Sequence, residues 1–164
     1  MIVIMTILVT ISSCGKEPQK SAWVETGRIF SSFKGTQELE AKFKDDFKEE
    51  DRILDSLMSV IRLVEDQIKA GVKPDPQMKE KYNSDIDLYQ RLAGSFEPRK
   101  EKARDELTRQ VWTQINGYLM EYGKSKNYAF IFGAKGSGEL MYADTSLNVT
   151  NDAIEFINGK YEGK

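Results

Sequence analysis

Residues 43–68 read FKDDFKEEDRILDSLMSVIRLVEDQI. Within this stretch Phe43, Phe47, Glu50, Leu54, Leu57, Ile61, Val64 and Ile68 follow one another at steps of 4, 3, 4, 3, 4, 3 and 4. Such a rhythm is the a/d seam of a heptad repeat, in which Glu50 is the one polar member. The residues between seam positions are mostly charged or polar, so one stripe faces a partner helix and the rest faces water. The spacing predicts a helix from about Thr36 to about Ala70, with Thr36 as its N-cap. At ~1.5 Å per residue it is roughly 50 Å long, well beyond an ordinary globular helix.

Working outward, Gly71-Val72-Lys73-Pro74-Asp75-Pro76 stops this helix: a glycine suits the C′ position and two prolines cannot continue. Apolar residues then recur at three- and four-residue steps from Met78 through Tyr82, Ile86, Tyr89 and Ala93 to Phe96. The pattern resumes through Ala103, Leu107, Val111, Ile115, Tyr118 and Tyr122. A short turn between two long helices makes them antiparallel neighbours, an αα-hairpin. Gly94 and Pro98 fall inside the second helix, where the proline removes a hydrogen bond to residue 94. They are the hinge candidates, because the apolar pattern continues on both sides. Glu50-Asp51 is expected opposite them, at the same height along the hairpin.

On either side of the hairpin the pattern changes. Residues 22–33 (AWVETGRIFSSF) are mixed, and their first half alternates as a strand does. Gly123 is expected to close the second helix. Tyr128-Ala129-Phe130-Ile131-Phe132 reads as a strand, GAKGSGE (133–139) as a glycine-rich turn, and Leu140-Met141-Tyr142-Ala143 as a second strand completing a β-hairpin. Thr150 is the expected N-cap of a short last helix that buries Ile154, Phe156 and Ile157. The fold class is therefore α+β, a long antiparallel coiled-coil hairpin on a small β-sheet body.

Composition narrows the function. The chain has 164 residues, enough for one domain, and carries 24 basic against 26 acidic residues. A net charge of −2 gives no electrostatic reason to expect nucleic acid as a partner. Histidine is missing, and with it the commonest general base and metal ligand. The glycine turn lacks the Gly-Lys-Ser/Thr of a phosphate loop and opens no helix. The carboxylate run Asp45-Asp46, Glu49-Glu50-Asp51 is interleaved with Lys44, Lys48 and Arg52, the signature of a solvated helix face. No catalytic residue, metal ligand or cofactor is expected, and the chain reads as a non-enzyme.

The single cysteine, Cys14, follows an apolar run, MIVIMTILVTI, too short to span a bilayer and of the right length for a signal-peptide core. Ile11-Ser12-Ser13-Cys14 resembles the lipobox of bacterial lipoproteins, which implies lipidation at Cys14. The expected divisions are a signal peptide at 1–13, a lipid-anchored tether at 14–21, and one domain at 22–164. Within the domain, 22–35 and 124–164 form the body and 36–123 the hairpin.

Two stretches carry a family resemblance. Phe33-Lys34-Gly35-Thr36, at the entry to the long helix, looks like the phenylalanine-lysine-glycine opening of Skp/OmpH-like chains. YAFIFGAKGSGELMYADTSLNVTNDAIEFIN (128–158) is similar to the C-terminal end of that family. The resemblance implies a homotrimeric periplasmic holdase in which hairpin tentacles enclose unfolded outer-membrane β-barrel proteins without ATP. It implies a trimer-forming body, with Val24, Tyr128, Phe130, Ile131, Phe132, Leu140 and Tyr142 as the candidate contact residues. The alternative is a structural or adaptor envelope lipoprotein that binds a folded partner. In both readings the anchor would hold the chain to a membrane.

Overall fold

The computed structural model describes residues 20–163; the signal-peptide, lipobox and most of the tether assignments lie outside them. Strand β1 spans Lys20–Glu25 and runs directly into a short helix, α1 (Thr26–Ser32). Helices α2 (Lys34–Asp46) and α3 (Lys48–Lys69) form the ascending arm. Helix α4 (Pro76–Ser125) returns along it, strand β2 (Tyr128–Ala134) follows, and α5 (Thr150–Tyr161) closes the body after one 3₁₀ turn at Thr145–Leu147. The α+β hairpin-on-body architecture is the one expected.

Helix α4 has 50 residues, so at about 1.5 Å per residue it is roughly 75 Å long. The heptad explains how so long an arm holds its partner. Phe47, Leu54 and Ile61, seven residues apart, are the buried row of the seam. Phe43, Glu50, Leu57 and Val64, the intervening row, are half-buried at its rim. Glu50 thus sits where a carboxylate can reach across to α4: its Oε1 lies 2.9 Å from Arg99 Nη1 in an ion pair, and Asp51 pairs with Lys100. Hydrogen bonding to Asp51 raises Lys100 above the usual lysine range, against the desolvation that opposes it. The second half of the carboxylate run, Glu49-Glu50-Asp51, is spent on ion pairs, with Glu49 held by Arg52 on its own helix and its carboxyl kept below the usual range by that hydrogen bond.

The tip follows its turn chemistry. Gly71 has φ +89°, Val72 N–H donates to the Gln67 carbonyl and Gly71 N–H to the Ile68 carbonyl, a complete Schellman motif. Pro76 opens α4, and Asp75 caps it by accepting from Met78 N–H at 2.7 Å.

Several boundaries differ from expectation for identifiable reasons. The ascending arm is two helices, interrupted at Phe47 (φ −107°, ψ 2°). Thr36 caps nothing, because α2 starts at Lys34; its side chain is buried three residues into the helix. Gly123 lies inside α4, buried, where a Cβ would stand 3.4 Å from Ile131 Cδ1. The helix is closed instead by Asn127, which takes φ +55°. Helix α4 runs unbroken through Gly94 and Pro98. Thr150 is the first residue of α5 rather than its cap. The Asn148 side chain accepts from Thr150 N–H at 2.9 Å, which frees the Thr150 hydroxyl to accept from Glu25 N–H on β1.

The largest difference is in the sheet. Leu140–Ala143 forms no strand, so the β-hairpin does not close within the chain. Gly136 (φ +80°) and Gly138 (φ +102°) carry the chain away from β2, and β2 pairs in parallel with β1 instead. The two-strand sheet covers a core of Ala22, Val24, Ile29, Phe33, Val111, Ile115, Tyr122, Val149, Ala153 and Ile157. Burial among these residues pushes the Tyr122 phenol up to about 12, with Tyr128 and Asp152 adding to the effect.

Candidate interaction surface

The body is built around the base of α4, and the two family-like stretches are what fasten it. Phe33 is fully buried, edge-on to Tyr118 and Tyr161 at ring-centroid distances of 6.1 and 5.1 Å. Its ring fills the space where a Cβ on Gly35 would stand, 2.5 Å away, so the phenylalanine and glycine of that opening are one packing unit. Lys34 N–H donates to Asn158 Oδ1 at 2.8 Å, and Asn158 Nδ2 donates to the Ser32 carbonyl at 3.0 Å. The last helix is thereby stitched to the entry of the hairpin, and the Lys34–Glu162 ion pair reinforces the join.

Strand β2 is fixed on one side only. Tyr128 lies against Tyr122, with ring centroids 6.1 Å apart, and Ile131 packs on Gly123. Gly133 sits where a Cβ would come within 2.6 Å of Thr26 Cγ2, so this close approach to α1 needs a glycine. Phe130 and Phe132 point the other way, stacked at 5.9 Å, and remain 58% and 50% exposed. Just beyond the glycine turn, Met141 and Tyr142 are 87% and 84% exposed. Between β2 and α4 runs an open groove of about 430 Å³ lined by Trp112, Leu119, Met120 and Ile131 over a floor of Val24 and Ile29.

The contact candidates therefore divide. Val24 is core and Tyr128 and Ile131 are partly buried against it, whereas Phe130 and Phe132 form an uncovered aromatic pair on β2; beyond the glycine turn Tyr142 is exposed and Leu140 half-buried. Trp112 packs at the arm's base against Phe30, 5.5 Å between centroids. Tyr82, Tyr89 and Phe96 are half-buried along the arm, and the Tyr82 hydroxyl donates to Glu65 Oε1 at 3.2 Å. Sequence reasoning passed over Met120 and Met141, single exposed apolar residues whose significance depends on what lies beside them. Among the described residues no helix is long and apolar enough to cross a membrane, and no group of acidic, cysteine or histidine side chains is arranged to hold a metal ion.

The same architecture exists in a solved structure. A crystal structure of an OmpH-like candidate outer membrane chaperone from Caulobacter crescentus CB15 superposes with a TM-score of 0.56, covering 93% of this chain and 92% of that one at 12% identity. At that identity the likeness concerns the fold alone. No curated protein gives a significant match. The family described as Outer membrane protein (OmpH-like) matches residues 20–157, from the first residue of β1 to the buried Ile157 of α5. Because that match takes in the body's two strands, the whole hairpin and nearly all of the closing helix, the chain belongs to the OmpH-like family.

Proposed function

We propose that this protein is an ATP-independent holdase chaperone of the periplasm, which binds unfolded outer-membrane β-barrel proteins and keeps them from aggregating. The observation that carries the reading is the uncovered aromatic face of β2. A single chain leaves Phe130, Phe132, Met141 and Tyr142 in water, and a two-strand sheet with a small core gains by burying them against further copies. Each chain so gathered brings an arm of about 75 Å, and three arms on one body bound a cavity. Val60, Leu63 and Leu88 are exposed along the arm. Scattered apolar contacts of this kind are individually weak and add up through avidity on a long unfolded chain. The homotrimer, the client class and a lipid anchor at Cys14 are all part of this proposal. The reading is that of a non-enzyme.

The test is dilution of a urea-unfolded outer-membrane β-barrel into buffer containing the protein. We expect light scattering to be suppressed at near-stoichiometric trimer; no suppression at several-fold excess would reject the chaperone. A near-balanced charge also suits a structural or adaptor lipoprotein that grips one folded envelope partner. Cross-linking in cells separates the two: many barrel proteins captured together support the holdase, and one discrete species supports the adaptor.

A further inference from the structure

Helix α4 and the ascending arm are each weakened at the same height. On the ascending side the helical run is interrupted at Phe47, whose backbone leaves the helical region between α2 and α3. On the descending side Pro98 has no N–H to give to the Gly94 carbonyl, and Gly94 has open space where a side chain would be. Immediately distal to Phe47, two consecutive carboxylates reach two consecutive cations that follow Pro98: Glu50 to Arg99 at 2.9 Å, and Asp51 to Lys100. Most other ion pairs of the arm join residues three or four apart on one helix and hold nothing across the hairpin. The bridging pairs are also unevenly sheltered. The Glu50 side chain is 17% exposed, and its Oε2 is buried without a hydrogen-bond partner, whereas Arg99 is 63% exposed. A pair with one carboxylate oxygen unpartnered and its cation largely in water is made and broken more easily than a fully buried one.

We propose that Glu50–Arg99 and Asp51–Lys100 form an electrostatic latch that locks the two arms of the hairpin together across the weak level set by Phe47 and Pro98. Closed, the latch makes the arm act as one rod. Open, it lets the tip beyond it, α3 and the first half of α4, swing on the base. The switch is ionic: salt, or a charged segment competing for either partner, opens it. This goes beyond the holdase reading and does not depend on it, since the latch is a property of one chain without a client.

The test uses the full chain with Cys14→Ser, and with Ser31→Cys in the body and Lys73→Cys at the tip carrying spin labels. Excess unlabelled chain keeps the measured distance within one molecule. The Debye length falls from about 10 Å at 0.1 M salt to about 3 Å at 1 M, so the narrow distance distribution at low salt should broaden at high salt. The near-isosteric variant Glu50→Gln/Asp51→Asn should be broad at both salts. Exchanging the charges (Glu50→Arg with Arg99→Glu, Asp51→Lys with Lys100→Asp) should restore the narrow distribution and its salt response. If the neutral variant is as narrow as the parent at both salts, the latch is overturned. A charge-exchanged variant that stays broad with parental helix content overturns it equally. Aggregation assays play no part in the readout, so the holdase can fail while the latch stands, and the reverse.

Discussion

Phe130 and Ile131 are neighbours in sequence, yet they face opposite environments, and that makes them a pair of probes. Ile131 packs on Gly123 and the core and is partly buried, so Ile131→Asp would set a carboxylate against apolar neighbours and destabilise the folded chain by about 1–3 kcal/mol. Phe130 is 58% exposed in the single chain, so Phe130→Asp should leave its helix content and urea midpoint close to those of the parent. If the aromatic face is the self-association surface, the same change should drop the sedimenting mass to that of a monomer. A Phe130→Asp variant that still sediments as a trimer at low micromolar concentration would remove β2 from the interface. The contrast shows what can be read from single residues. That Tyr128–Phe132 was a strand followed from its composition, but which side chains pointed inward depended on where β1 and α4 lay. Thr36 and Gly123 show the same limit, since each has the chemistry of a cap and packing uses it otherwise. Nothing local distinguishes Asn127, which does turn the chain, from any other asparagine near a helix end.

Elements were legible in proportion to their length. The hairpin was plain because a seven-residue apolar rhythm repeated often enough to exclude a strand, and because Gly71, Pro74 and Pro76 punctuate its tip. Helix α1 was not, because seven residues, TGRIFSS, hold fewer than two full turns and no periodicity; what makes it helical is the burial of Ile29. The parallel pairing of β1 with β2 was equally hidden, as the sequence between them gives no register. Within α4, Gly94 and Pro98 can be examined together. In a helix interior glycine is about 1 kcal/mol and proline about 3 kcal/mol less favourable than alanine. Gly94→Ala with Pro98→Ala should therefore raise the stability of the arm by up to about 4 kcal/mol, read as a higher urea or thermal midpoint. An unchanged midpoint would mean that α4 already absorbs the proline without loss, and the hinge assignment would lose its basis.

Across the whole molecule, the anchor and the arm set how the protein would work in the cell. If Cys14 is acylated, the mature chain begins there and partitions with membranes, and Cys14→Ala leaves it soluble or unprocessed. Intact-mass analysis of the membrane fraction checks this, and an unmodified Cys14 in a processed chain would refute the lipoprotein. The fold as a whole was readable because the arm dominates it; the body was readable only in outline, because its sheet is completed by contacts between distant parts of the chain and its aromatic face by nothing within it. The distance between those parts also governs how the chain can form. The Thr150 hydroxyl receives the Glu25 N–H from 125 residues away in sequence, and β1 finds β2 only after both long helices have been made. As the chain is made, the β1 segment comes first and has no partner while the coil zips up behind it. Helical hairpins close in microseconds, whereas pairing over such a separation is slow unless something brings the ends together. Here the coil itself does so: its closure delivers β2 and α5 to the place where β1 is waiting. The arm is therefore a folding guide for the body, and a chain halted before Tyr128 would leave a finished coil on an unassembled base.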